Sequence, residues 1–489
     1  MSFKSKLIST TAATVIAATG ALHAEESGTL MASMSDLENR LESDINAMLS
    51  DMRAQSDILG DVIAISDDFS VDLVPVSNGV FEFTMPEMTT SMNDGIATYT
   101  VDIPSQTYTL SVNDYDAAIA AISLGSAIDV TMNPVSDVEA GLSIGDEYET
   151  FMSANFVCGD NGQTASLAPT HYSFSTSSNS CAMNANIDGA MTATMEGDFF
   201  VDTTKHEDGT YSYADSMSLM NVSVEFNRSF GDSVNFNVDA VNVSSQMEGM
   251  PSLQGRTVDQ LTLADLPASA YSSVSVEGMS LSGTNPFTGG IDTYGPLSVN
   301  MSVALDDLRS DSATISSEFG YDMTGIQAGT DFPELQEIPE ISQCDMSFSG
   351  IPVEQIQQLF DQYGITPDNF VHVGGEMIVA DVLARAPISA EYNCLVQDGP
   401  NGSNYQVELT GSHNFQDGLP VGSGTVTVTG ADNLNSSVMA FGPAAFMFSG
   451  MFNSFAVPSD DGSTHVIEYE VKEDGMVFVN DQPVTSLQP

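Results

Sequence analysis

Basic side chains are nearly missing from this sequence: 10 Lys and Arg stand against 67 Asp and Glu, for a formal charge of −57. Affinity for nucleic acid rests on neutralising phosphates with Lys and Arg, so a polyanion of this kind is excluded as a nucleic-acid partner, and anionic headgroups are repelled in the same way. Trp is absent, which leaves any sugar-stacking platform to Tyr and Phe and disfavours a carbohydrate module. There are six histidines, and His171, His206, His372, His413 and His465 lie far apart without metal-ligand spacing. No Cys-x-x-Cys pair, no calcium-loop pattern and no glycine-aspartate nonapeptide array occurs, so no cofactor or metal is expected. No apolar run is long enough to be kept as a transmembrane helix, and no stable membrane span is expected.

What is present begins with an export signal. Residues 1–24 carry Lys4 and Lys6, a weakly apolar stretch over 7–22, and Leu22-His23-Ala24 ahead of Glu25-Glu26, the order of a secretory signal peptide. Its removal takes away two lysines and no acid. Expected location is therefore the periplasm, with the extracellular surface as the alternative. The acids are spread without a long block, which reads as a solvated acidic surface suited to high ionic strength. Four cysteines in an oxidising compartment suggest two disulfides, for which three connectivities exist. Neighbours are expected to pair, Cys158 with Cys181 and Cys344 with Cys394, because each pair falls within one local group of strands.

Periodicity predicts a helix over 25–57, with Met34, Leu37, Leu41, Ile45, Met48 and Met52 recurring every three or four residues. After it, alternation dominates: Tyr99, Val101, Ile103; Tyr108, Leu110, Val112; Val222, Val224, Phe226; Val234, Phe236, Val238; and Leu297, Val299, Met301, Val303, Leu305. Ser, Thr, Asn and Asp sit between them, the pattern of antiparallel sheet with one wet face. Asn93-Asp94-Gly95, Glu207-Asp208-Gly209, Phe230-Gly231-Asp232 and Asp474-Gly475 separate the runs at hairpin distances. The expected fold is mainly β: an extended or two-part antiparallel sheet of many hairpins, with the N-terminal amphipathic helix and two C-terminal helices packed on it. The organisation expected is antiparallel β over 58–330, a Pro-rich acidic linker over 331–343, and an α+β region over 344–489.

The first C-terminal helix is expected over 352–363, punctuated by Pro352 and Gly364. The second is expected over 432–455, the greasiest stretch of the mature chain. Met439, Phe441, Phe446, Met447, Phe448, Met451, Phe452 and Phe455 there read either as buried core or as the wall of an apolar groove for lipid or another apolar ligand. Residues 141–145, GLSIG, match the G-x-S-x-G elbow of serine hydrolases, which requires a strand before the serine and a helix after it; here a strand is expected to follow, and the chain is expected not to be an enzyme. Met85, Met88 and Met92 could offer thioethers to copper, but Met serves equally as a flexible core filler.

The C-terminal phrase over 465–484 carries Tyr469-Glu470-Val471, Glu473-Asp474-Gly475, Val477 and Asn480, with Pro483 close behind. Following a Met- and Phe-rich helix, it resembles the C-terminus of an uncharacterised family of exported proteins of Gram-negative bacteria, and more distantly the ends of the YdgA-type and AsmA-like envelope proteins. It departs from that pattern at Asp481, where glycine is usual. The resemblance implies a periplasmic, β-rich, non-enzymatic protein whose sheet has a lipid-accommodating face. Function expected on these grounds is apolar-ligand binding or envelope maintenance, the alternative being an acidic structural or adhesive surface protein. An outer-membrane barrel is disfavoured by the internal helices, the cysteines and the polar C-terminus.

Overall fold

The structure is a computed structural model that describes residues 28–58, 70–85, 87–93, 98–145, 150–159, 161–187, 191–227, 233–252, 260, 262–284, 291–323, 340–365, 374–399, 403–416, 419–431, 454–459 and 462–486. The signal segment 1–24 lies outside them. Two compact units divide the chain, Met1–Leu261 and Thr262–Pro489. Both are built on antiparallel sheet, and every alternating run named above falls in a strand. The stretch expected as a linker lies outside the described residues as far as 339, and a strand begins at Ile341. The division between compact units falls ahead of that stretch.

Unit one opens with α1 (Gly28–Ile58), whose apolar stripe places Leu37, Leu41, Ile45 and Met48 at 1% exposure or less. Each such side chain contributes about 1.5–3 kcal/mol by leaving water. They meet Phe81, Phe83, Tyr108, Leu110, Val130, Leu167 and Phe174 from the sheet in one core. The polar flank of α1 ties it down as well. Asn46 accepts from Val71 N at 2.8 Å and donates to Val71 O at 3.2 Å, acting as a peptide-like partner, while Glu42 accepts from Leu73 N at 2.7 Å. Lys205 pairs with Asp51 and lies over the Tyr211 ring at 5.7 Å. A second helix, α2 (Tyr115–Leu124), escapes a periodicity reading because its YDAAIAAISL sequence is apolar on most sides. Its punctuation was nonetheless legible: Asp114 caps it by accepting from Ala117 N, and Gly125 ends it at φ 66°.

The strands of this unit lie in two rows. Antiparallel neighbours in the first run β1 (Val74–Ser77), β2 (Val80–Met85), β5 (Gln106–Val112), β6 (Ile128–Pro134), β9 (Asn161–Leu167). The second runs β3 (Met88–Asn93), β4 (Thr98–Ile103), β7 (Val138–Gly145), β8 (Thr150–Cys158). Both rows join β10 (Tyr172–Ile187), β9 along its first half and β8 along its second, and the sheet continues through β11 (Met191–Lys205), β12 (Tyr211–Asn227) and β13 (Ser233–Met250). A line of irregularities therefore crosses the sheet between the rows. In β10 it is a bulge at Ser178/Cys181, and in β12 a register shift accompanies Asn221 at φ 53°. The bulge moves the inward residues from Tyr172, Phe174 and Thr176 to Cys181, Met183 and Ala185, so one side stays dry across the break. Backbone groups freed there are met by side chains: Gln106 donates to Ser136 O at 2.9 Å, Asn161 to Cys158 O at 2.8 Å and Ser105 to Met85 O at 2.6 Å.

Unit two is a meander. Its neighbours run in chain order through β14 (Ser269–Thr284), β15 (Ile291–Asp306), β16 (Ala313–Asp322), β17 (Ile341–Ile351), β18 (Ser389–Gly399), β19 (Ser403–Gln416), β20 (Leu419–Thr429), β22 (Thr464–Val471), β23 (Met476–Val479) and β24 (Gln482–Ser486). The short β21 (Val457–Pro458) also pairs with β22. Two helices fill the β17–β18 connection. The expected one is α3 (Val353–Tyr363), ended by Gly364 at φ 63°, with Asp311 accepting from its Glu354 N at 2.8 Å. The other, α4 (Gly375–Leu383), was not legible from spacing; of the helix expected over 432–455, residues 432–453 lie outside the described residues.

At the C-terminus, Gly475 turns at φ 74° between β22 and β23. The next turn holds Asn480 at φ 47° and Asp481 at φ 64°, consecutive left-handed residues of the kind a two-residue hairpin requires. Asp481 thus serves where glycine is usual, because a short carboxylate side chain tolerates that conformation. Asn480 also accepts from Glu468 N at 2.7 Å and donates to Phe455 O.

Candidate functional site

Register in unit two stacks like residues with like. One row runs straight across eight strands as Val274, Met301, Phe319, Cys344, Cys394, Leu409, Val426 and Ile467. The parallel row through Val299, Tyr321, Val396, Val407 and Val428 is also mostly apolar, and so is the one through Leu305, Ile315, Phe348 and Ala390. The opposite face carries Ser273, Ser302, Glu318, Asp345, Asn393, Thr410, Thr425 and Glu468 in one row. Period-two alternation in each strand, held in register by its neighbours, segregates the faces.

The apolar face is bare over β15 to β17 and covered toward β19 and β20, where Val428 is buried and Val396, Val407, Val426 and Ile467 pack with Tyr405 and Ala456. Met301 is 46% exposed, Phe319 43%, and Met346 and Phe348 38% each, whereas the α1 stripe of unit one is fully covered. At strand spacings of 4.7–4.9 Å and a two-residue repeat of nearly 7 Å, the exposed Met301, Phe319, Met346 and Phe348 span three strands and three rows, about 10 by about 14 Å between their Cα atoms. A soluble monomer rarely exposes a contiguous apolar patch beyond a few hundred Å², and larger ones mark binding sites.

Toward one end of this face the surface becomes aromatic. Tyr392, His413 and Tyr469 stack in sequence, with ring centroids 5.7 and 5.6 Å apart and interplanar angles of 10° and 17°. The rings lie flat because two glycines make room. Gly411 pairs with Tyr392 and with Gly424, which pairs with Tyr469, and a Cβ on either glycine would run into a tyrosine hydroxyl. Beside the stack lies a cavity of about 270 Å³ lined by Met346, Phe348, Ala390, Tyr392, His413, Phe415 and Pro420, with Glu391 contributing at its rim. Burial holds the His413 imidazole below its ordinary pKa and raises that of the Tyr392 hydroxyl. Near neutral pH the His413 imidazole and the Tyr392 hydroxyl at this end of the face are therefore uncharged. The sequence alone places Tyr469 in the C-terminal hairpin, gives His413 no metal-ligand spacing and does not single out Tyr392; the G-x-H of Gly411 and His413 and the G-x-G of Gly422 and Gly424 are the local signals.

Of the eight residues expected as a groove wall, Met439, Phe441, Phe446, Met447, Phe448, Met451 and Phe452 lie outside the described residues. Phe455 is described and half-buried, next to Ala456, which packs with Tyr405, Val428, Ala431 and Ile467. Both disulfides are formed as expected. Cys158–Cys181 joins β8 to β10 at the bulge, and Cys344–Cys394 joins directly opposed residues of β17 and β18 within the apolar row. They fit an oxidising, non-cytoplasmic compartment. Met85 is buried in the unit-one core. Residues 141–145 lie inside β7, which pairs along its length with β8, and Ser143 faces Ser153 in that ladder. His206 bonds Ser212 at 2.8 Å. Among the described residues no cluster of His, Cys, Asp and Glu is arranged to hold a metal, and no helix is long and apolar enough to cross a membrane. Comparison with protein-family models, with curated proteins and with solved structures finds no match to this chain.

Proposed function

We propose that this is an exported, non-enzymatic binding protein of the periplasm that holds lipid or another apolar ligand on the bare side of the unit-two sheet, in a carrier or envelope-maintenance role. One observation carries the reading: three aligned, mostly apolar rows flanking Met346 and Tyr392, with Met301, Phe319, Met346 and Phe348 more than a third exposed, on a chain of strongly acidic composition. The signal segment, the disulfides and the resemblance of the C-terminal hairpin to exported envelope proteins support the location. Polar, acid-bearing residues on the opposite face support a solvent-facing back.

The test is direct. Protein purified from the periplasm without detergent is analysed by native mass spectrometry and by organic extraction. Co-purifying apolar molecules, lost on replacing Met301 and Phe319 by Ser, are the expected result. A bare protein that also binds no apolar fluorophore refutes it, and recovery of that bare protein at the cell surface would favour the acidic structural or adhesive alternative.

A further inference from the structure

We infer that the ligand of this face is an uncharged apolar molecule, a neutral lipid or fatty alcohol, and that ordinary anionic amphiphiles are rejected; this rests on the reading above and names its ligand class. An anionic lipid bound on a protein surface needs a cation at its headgroup, and the described basic side chains are all committed elsewhere. In unit two Arg309 donates to Leu266 O at 2.8 Å, Arg385 pairs with Asp381 at 2.6 Å, and Lys472 lies 4.0 Å from the Phe478 ring centroid and 3.6 Å from Glu470. The apolar rows contain neither Lys nor Arg. Of the two imidazoles in these rows, His413 is kept neutral by burial and covered by Tyr392 and Tyr469, and His465 lies at the far edge, paired with the buried Val428.

Carboxylates are close behind the face. Glu318, Asp345, Glu391, Glu408 and Glu468 belong to the same strands and lie on the other side of a single sheet. A negative headgroup would lose water, gain no cation and enter the field of a chain at −57. An uncharged chain keeps the full benefit of burial at about 25 cal/mol per Å² and pays none of those costs.

The experiment uses the full-length mature protein loaded with diphenylhexatriene, an uncharged fluorophore, and displaces it at pH 8 with 1-hexadecanol or with hexadecanoate, which share a chain and differ in charge. In 0.02 M salt the alcohol is expected to displace the probe at a concentration at least tenfold lower, with the gap narrowing at 0.5 M salt as the field is screened. Phe319→Lys places a cation on the exposed middle of the face and is expected to improve hexadecanoate at least tenfold relative to the alcohol. Equal potency of the two in the wild-type protein, or an unchanged ratio in Phe319→Lys, overturns the neutral-ligand inference and leaves apolar binding standing. Failure of the fluorophore itself to bind removes the binding function and this inference with it.

Discussion

If the unit-two face is bare, trimming it should cost little, whereas trimming the α1 stripe should be severe. Leu41 is 0% exposed inside the core of unit one, so Leu41→Ala removes transfer energy and leaves a cavity, at about 2–5 kcal/mol. Met301 is 46% exposed. Met301→Ala loses only about half of a side chain's contacts and opens no closed cavity, so its cost is about 1 kcal/mol or less. With a urea dependence on the order of 3 kcal/mol per M for units of this size, the midpoints should fall by about 1 M and about 0.3 M. Hydrogen exchange in urea, read by mass spectrometry on peptides from β9 for Leu41 and from β15 for Met301, follows each unit separately. A Met301→Ala loss as large as that of Leu41→Ala would show that the face is covered in the native protein, and the ligand surface argued above would not exist.

The other predictions concern charge and cross-links. Lys205→Ala leaves the buried Asp51 without its cation and should cost about 2 kcal/mol, less than a fully buried pair would because the Lys205 side chain retains some solvent; adding Asp51→Asn should recover most of it in a thermal double-mutant cycle, and additive losses would refute the coupling. Glu318 and Asp345 face each other across β16 and β17, so Asp345→Asn should stabilise unit two by about 0.2–1 kcal/mol at low salt and less at 0.5 M; a loss of stability would contradict the register. His413 should titrate below the usual value of about 6.5 by NMR. The Tyr392 and Tyr469 rings stack on either side of it, and Glu391 belongs to the opposite face of the sheet. Because the folded imidazole resists protonation, its stabilising contribution is full above about pH 6.5 and is lost as pH falls through the lowered folded value, and His413→Phe should flatten that slope; a midpoint above 6.5 would sink the assignment. Removing Cys158–Cys181 or Cys344–Cys394, which close loops of 23 and 50 residues, should cost on the order of 3–4 kcal/mol each, and detection of free thiols in the unreduced denatured protein would refute the pairing.

Much of this architecture is legible in the residues, for a physical reason. Period-two alternation survives into the structure because one face of each strand must differ from the other, as Leu297 to Leu305 in β15 shows. The helix α1 is equally plain, since Leu37, Leu41, Ile45 and Met48 can be buried together only at helical spacing. What escapes is whatever depends on lateral alignment. Tyr392, His413 and Tyr469 come from three strands and meet only because Gly411 and Gly424 share their row, a coincidence of register that no single segment displays. The expected groove wall was placed on the Phe- and Met-rich stretch by local hydrophobicity alone, whereas the apolar surface that the strands build is assembled from isolated residues such as Met301, Phe319 and Phe348. α2 and α4 are short and largely apolar; the Asp114 and Gly125 caps identify α2 better than its periodicity, whereas α4 has no side-chain cap to mark it.

The bulge at Ser178/Cys181 gives β10 something like a frameshift followed by its correction. Upstream the inward letters are even-numbered, downstream they are odd-numbered, and a single supernumerary residue reconciles the two halves. Deleting one residue from a regular stretch of β10 would turn half of the strand over, whereas deleting the supernumerary residue would straighten the strand with Phe174, Met183 and Ala185 all still on the dry side. Tolerance to a one-residue deletion within this strand should accordingly be greatest where the ladder already carries its extra residue.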